Sequence, residues 1–398
     1  MMKTRAFVAA GLSLALAGCA GWFAPPPGIG REVAWSKLPG WEQDRHAAAW
    51  PALRKSCEKL FARDAQGRAS GAGDTSSRVA DAAWESACLA ARALESPDDA
   101  TARAFFETHF RVHRVNAGDG REGLITGYYE PVLNGSKTRD ERFRWPLYKR
   151  PDNLLTIDLA SLYPELKGRP VRGRLEGNRV VPYYSRAEIG NGKSKSPLAG
   201  HELFWVDDPV EAFILQVQGS GRVRLADGSE VAIGYADQNG HPYRSLGGAL
   251  IQMGALTREE VTLTRIRDWL AANPEQTAAL LNSNPSYIFF TQRDASLDGP
   301  LGSLGVALTP GRSVAVDPAY IPLGLPVWLD ALLPDGTLLQ RLAFAQDTGG
   351  AIKGPVRADL FIGRGTDAGR LAGEMKQRGR LYVLLPKPPQ PVSTLSLR

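Results

Sequence analysis

Little in this chain is suited to holding a metal. Its 398 residues include only three cysteines and five histidines, and none of them has zinc-finger spacing. His109 and His113 are four apart, which on a helix would put both on one face, but Phe110 stands where a metalloprotease motif carries its glutamate. Both histidines therefore read as structural, and no metal or cofactor is expected. An apolar run of the roughly 20 residues that span a bilayer as a helix is also missing. The run nearest the N-terminus, residues 7–17, has about 11, which excludes a transmembrane helix there. No lysine and arginine block dominates and no nucleic-acid motif appears, so nucleic acid is not the expected partner. No internal repeat is detectable, and biased composition is confined to two proline-rich stretches, 22–28 and 386–391.

What is present starts with an export signal. Lys3 and Arg5 precede the short apolar run, which ends in Leu16-Ala17-Gly18-Cys19. This pattern resembles a bacterial lipoprotein signal, with Cys19 as the lipidated first mature residue. An ordinary small-residue cleavage site is the alternative. Several acyl chains, at about 0.8 kcal/mol per buried methylene, would anchor Cys19 stably. Ala20 rather than Asp after it resembles sorting to the outer membrane, facing the periplasm. Cys57 and Cys88 are the remaining pair. In an oxidising compartment they are expected to form a disulfide, with two buried free thiols as the alternative. The formal charge of +6 becomes +4 without Lys3 and Arg5 (46 basic, 42 acidic), a surface suited to an anionic polymer.

With 43% hydrophobic and 23% charged residues, the chain can bury a large core in two or three domains. Residues 44–110 read as helical, one helix being opened by Ser96-Pro97-Asp98-Asp99 with Ser96 as cap. Residues 124–129 read as a strand. Between 131 and 254 the pattern is β, with apolar runs such as Phe213-Ile214-Leu215-Gln216-Val217 separated by turns such as Ala226-Asp227-Gly228. Thr257-Arg258-Glu259-Glu260 is a capping box for a helix with Leu263, Ile266 and Leu270 on one face, and Asn273-Pro274-Glu275-Gln276 opens another. Strands resume after Tyr287-Ile288-Phe289-Phe290, with a hairpin turn at Pro334-Asp335-Gly336. A helix is expected from Thr366-Asp367 to Gly379, then a strand over 381–385.

Three aspartates carry most of the functional information: Val316-Asp317-Pro318, Gln346-Asp347-Thr348-Gly349-Gly350, and Arg357-Ala358-Asp359-Leu360-Phe361. Asp359 lies between apolar residues, so its carboxyl must be exposed at a strand end, paired, or held neutral. Ahead of these come Thr126-Gly127-Tyr128-Tyr129-Glu130-Pro131, Val217-Gln218-Gly219-Ser220-Gly221 and Asn239-Gly240-His241-Pro242-Tyr243-Arg244-Ser245. In this order they resemble the membrane-bound lytic murein transglycosylase A family, over 126–290 for its partner domain and 304–385 for its three-aspartate domain.

The resemblance implies a mainly β protein: a double-psi β-barrel carrying the catalytic acid, a second β-barrel inserted into it, and a peptidoglycan strand in the groove between. The expected organisation is a signal peptide at 1–18 and a lipidated tether at 19–43. A helical lead-in with the first part of the catalytic barrel follows at 44–131, the inserted barrel at 132–288, the rest of the catalytic barrel at 289–385, and a Pro-rich tail at 386–398. By position Asp359 matches the catalytic acid, with Asp347 supporting it and Asp317 structural. Thr126, Tyr128, Tyr129, Gln218, Ser220, His241, Tyr243, Gly349, Gly350 and Lys353 are the candidate substrate contacts. Of the adjacent tyrosines at least one should be core, since strand neighbours point to opposite faces.

A lytic transglycosylase needs one carboxyl group, because the C6 hydroxyl of N-acetylmuramic acid is an internal nucleophile at high effective concentration. Two other readings stay open: a hydrolase using Asp347 and Asp359 as a carboxylate pair, and a non-catalytic glycan-binding lipoprotein. Peptidoglycan strands, outer-membrane lipid through Cys19, and other cell-wall enzymes are the expected partners.

Overall fold

Three helices precede the first long strands: α1 (Trp50–Ala65), α2 (Thr75–Arg92) and α3 (Asp99–His109). The computed structural model describes residues 25–65, 75–119, 122–164, 171–190 and 196–388. The signal segment, Cys19, the first part of the tether and all but the start of the tail lie outside the described residues. Cys57 and Cys88 form a disulfide between α1 and α2, with Cα atoms 5.5 Å apart and a sequence separation of 31. Closing such a loop stabilises the fold by about 3 to 4 kcal/mol on the chain-entropy view. Helix α3 starts later than Ser96-Pro97 suggested. Its cap is Asp98, whose carboxylate accepts from the Thr101 N–H at 2.8 Å, and an ionised carboxylate suits the helix N-terminus. His109 ends that helix while His113 lies in the following strand, with Nδ1 3.0 Å from the Gly30 carbonyl. The two histidines share no helix face.

Strands β1 (Gly28–Val33) and β2 (Phe110–Asn116) lead into β3 (Gly123–Glu130). The chain then departs through β4 (Val132–Ser136), β5 (Trp145–Tyr148), β6 (Leu155–Ile157), β7 (Val171–Glu176), β8 (Arg179–Pro182), α4 (Arg186–Ile189) and β9 (Glu202–Val206). It continues through α5 (Pro209–Gln218), β10 (Ser220–Arg224), β11 (Glu230–Gln238), α6 (Leu246–Gln252), α7 (Leu263–Ala272), α8 (Thr277–Asn282) and β12 (Ile288–Gln292). It returns as β13 (Ser313–Val316), β14 (Pro326–Leu332), β15 (Leu338–Asp347), β16 (Arg357–Arg364), α9 (Gly365–Glu374) and β17 (Lys376–Pro386).

The returning strands close with β3 into a ring, β17-β14-β15-β13-β16-β3 and back to β17. Ile125, Val314, Leu329, Ala343, Leu360 and Leu381 point inward and are almost fully buried. A ring has no free edge, so every strand finds hydrogen-bond partners on both sides. The helical lead-in covers part of its outside, where Trp41, Trp50 and Phe106 pack with Trp328 and Phe344. The excursion forms its own sheet, ordered β12-β11-β10-β4-β9-β5, and a bridge between Lys149 and Phe290 links its two ends. Strand β12 belongs to this sheet, so the boundary expected at 288/289 falls inside a strand.

Three local expectations give way to packing. Residues 213–217 are not a strand but the centre of α5, which Asp208 caps and Pro209 opens. The run is buried on three sides because Leu215 faces the inserted sheet, Phe213 the α6–α8 cluster, and Ile214 contacts Tyr129 and Ala372. A short apolar run has no periodicity that separates the two cases. The Thr257–Glu260 bonds form, but they close a turn, and α7 begins only after its own cap, Thr262. Helix α9 stops at Glu374 rather than Gly379, since residues 376–379 pair with β3 to close the ring.

Glu130, where the chain leaves the ring, is buried against Arg222 of β10 at 3.3 Å and Arg364 of β16 at 3.2 Å. Arg222 also donates to the carbonyls of Ala295 and Leu297, where the chain returns. One carboxylate thus ties both connections to the ring.

Candidate active site

The register of the ring places both key aspartates in one row. Ala315 of β13 is opposite Asp347 of β15 on one side and Asp359 of β16 on the other. Asp359 in turn is opposite Thr126 of β3. Residues level across a sheet project to the same face, so the two carboxyl groups flank the small Ala315 side chain on the outside of the ring. They line a cavity of about 910 Å³ whose far wall comes from α5, β10 and β11.

Their surroundings differ. Asp347 Oδ1 accepts from the Ser303 N–H, the Ser303 hydroxyl and the Thr348 N–H, each at 2.9 Å, and Oδ2 accepts from the Tyr128 hydroxyl at 2.9 Å. Among the described residues Asp359 has a single such donor, the Thr126 hydroxyl on Oδ1 at 2.5 Å. Burial pushes both carboxyls above their ordinary range, opposed by these donors. Arg357 also opposes the shift at Asp359, while the charge of Asp347 adds to it. Four donors favour the anion at Asp347, whereas at Asp359 burial and the neighbouring Asp347 charge favour the protonated form against a single opposing donor and Arg357. Burial with Asp347 nearby holds the Tyr128 phenol well above its usual range, so it remains a donor.

The other candidates fall into two groups. Tyr128, Gln218, Ser220, Tyr243, Gly349 and Gly350 line the cavity. A Cβ on Gly350 would meet nothing within 4 Å, leaving its backbone open to a ligand, while one on Gly349 would press on Ile352 at 2.7 Å. Thr126 reaches the site through Asp359. Tyr129 points away: its hydroxyl accepts from Arg267 at 2.9 Å and its ring packs on Ile214 and Ala372. His241 is tied to the Tyr183 carbonyl at 2.7 Å within the insert, and Lys353 is exposed; neither lines the cavity. Asp317 is also off the cavity. It accepts from the Gly354 N–H at 2.8 Å and the Ala319 N–H at 3.2 Å, which fixes the loop following the glycine pair.

Sequence reasoning missed Ser303, Arg357 and Arg186. Arg357 had a signal, since it precedes Asp359 by two residues in one strand and so shares its face. Ser303 had none, being 44 residues from its partner Asp347. Arg186 is buried in the insert wall, donating to the Asn284 and Ser286 carbonyls and to Gln216. Burial pulls it down to about 10.

Residues 124–291 match the MltA specific insert domain and residues 312–385 the 3D domain. Over 301 residues the chain is 34% identical to membrane-bound lytic murein transglycosylase A of Vibrio cholerae, covering 73% of this chain and 72% of the relative. This chain belongs to that family. Among solved structures, the membrane-bound lytic murein transglycosylase of Agrobacterium tumefaciens superposes with a TM-score of 0.76 at 32% identity, covering 90% of this chain and 98% of that one. The E. coli member crystallised with bound chitohexaose has a TM-score of 0.65 at 27% identity, covering 92% and 96%.

Proposed function

We propose that this chain is a peptidoglycan lytic transglycosylase that cuts the β-1,4 bond between N-acetylmuramic acid and N-acetylglucosamine, with Asp359 as its one acid and base. The observation that carries the reading is the inequality of the two carboxyls across Ala315: Asp347 takes four donors and Asp359 one. Asp359 gives its proton to the leaving glycosidic oxygen as the anomeric carbon becomes oxocarbenium-like. The C6 hydroxyl of the same muramic acid then bonds to that carbon, and Asp359 takes the hydroxyl proton, returning to its starting state. Arg357 stabilises the Asp359 anion between the two transfers. Asp347, held by Tyr128 and Ser303, raises the affinity of Asp359 for its proton.

The two-carboxylate hydrolase fits less well. An ionised carboxylate has about four acceptor sites, and with four donors already bound, Asp347 has little capacity left to activate water. The chitohexaose held by the E. coli relative supports a glycan in the groove. We further read the six-stranded ring, with its parallel pairs β13–β15 and β3–β16, as the double-psi barrel, and Cys19 as the outer-membrane lipid attachment. Digestion of purified murein tests the activity: new muropeptide ends should be one water lighter than hydrolysis products. Ends of hydrolytic mass would contradict it.

A further inference from the structure

A second cavity, of about 420 Å³, opens beside the first on the same outer face of the ring. Its floor is the seam between β3 and β17, where Thr126 is opposite Lys376 and Leu124 is opposite Arg378. The wall is formed by Gly248 and Ile251 of α6 together with Arg258. Lys376 Nζ donates to the Arg258 carbonyl at 2.6 Å, which holds these two elements together. Three cations therefore converge here, all of them exposed. None has a carboxylate within 4.0 Å among the described residues. The adjacent Glu122 is turned to Arg380 at 3.1 Å, and Arg378 reaches only its backbone carbonyl. A concave site with uncompensated positive charge is built for an anion.

We infer that this cavity is a subsite for the carboxylates of the murein stem peptide. The inference rests on the glycan-cleaving reading and adds to it the part of the substrate that the sugar groove leaves out. The row Asp359, Thr126, Lys376 crosses two strand spacings, roughly 10 Å at about 4.8 Å each. An extended peptide advances about 3.3 to 3.6 Å per residue, so a stem peptide leaving a muramic acid at Asp359 reaches Lys376 with its third residue. The sugar backbone itself is uncharged, so the cations have no role toward it; the peptide supplies the charge they lack.

The test is a binding measurement on the Asp359→Asn protein, in which turnover is strongly slowed, using murein strands that carry stem peptides and strands stripped of them by an amidase. The peptide-bearing strand should bind at least tenfold more tightly, and added salt should narrow the gap. Lys376→Glu together with Arg378→Glu, both at exposed side chains, should remove the advantage while moving stripped-strand affinity less than twofold. Lys376→Gln with Arg378→Gln should remove part of it. Equal affinity of the starting protein for the two strands would overturn the subsite and leave the glycan groove standing, as would charge-reversal variants that keep the full preference. Binding of neither strand would overturn both readings.

Discussion

Replacing Asp359 with Asn is expected to lower glycan cleavage by on the order of a hundredfold to ten-thousandfold, the usual range for losing a positioned acid and base, while the protein still folds. Asp347, the carboxyl level with Asp359 across Ala315, is a poor substitute, because it is committed to Tyr128, Ser303 and Thr348. The same change should stabilise the protein. Burial raises the Asp359 carboxyl in the folded state, so the native chain holds a proton that the unfolded chain has already released. Stability therefore falls as pH rises from the unfolded value through the folded one, and the full cost is present above it. Asn carries no such cost, so Asp359→Asn should be more stable than the unaltered protein at neutral pH and gain nothing at pH low enough to protonate both states. Cleavage by the unaltered enzyme should decline over the same rise in pH. Asp347→Asn should lose less activity than Asp359→Asn. Equal losses in the two variants would favour the two-carboxylate hydrolase.

Glu130→Ala, at a residue that also lines the cavity, should be among the most damaging single changes to the fold, costing about 3 to 5 kcal/mol. Arg222 is 5% exposed and Glu130 3%. Removing the carboxylate leaves Arg222 buried with only the Ala295 and Leu297 carbonyls. Burial drives the Glu130 carboxyl up despite both arginines, so the pair itself adds little net stability; the loss comes from stranding its partner. Denaturant unfolding of the variant measures this. A change below about 1 kcal/mol, the value of an exposed pair, would show that the two chain connections do not depend on Glu130.

The site was legible in the sequence where chemistry is local. The three aspartates and the Thr126 and Gln218 motifs stand in short recognisable strings, and the structure brings Asp347, Asp359, Tyr128, Gln218 and Ser220 to one cavity. What was not legible depends on register. Nothing in the order of residues says that Ala315 falls between Asp347 and Asp359, or that Thr126 meets Asp359 after a separation of 233. The bulge in β13–β15 that brings Asp347 level with Ala315 is a tertiary feature. His241 and Lys353 sit in strings that look like parts of the site, yet the chain turns them away from the cavity. Helix α5 was misread as β because its burial on three sides erased the amphipathic stripe that marks a helix.

Digestion of murein in heavy-oxygen water measures directly whether the oxygen reaching the anomeric carbon comes from the substrate. If Asp359 serves an internal C6 hydroxyl, the new muramic acid ends carry a 1,6-anhydro bridge, lack a reducing end, and contain no solvent oxygen at the anomeric carbon. Incorporation of the heavy isotope into most new ends would contradict the account, since a hydrolase must place solvent oxygen there whichever carboxylate acts as its base.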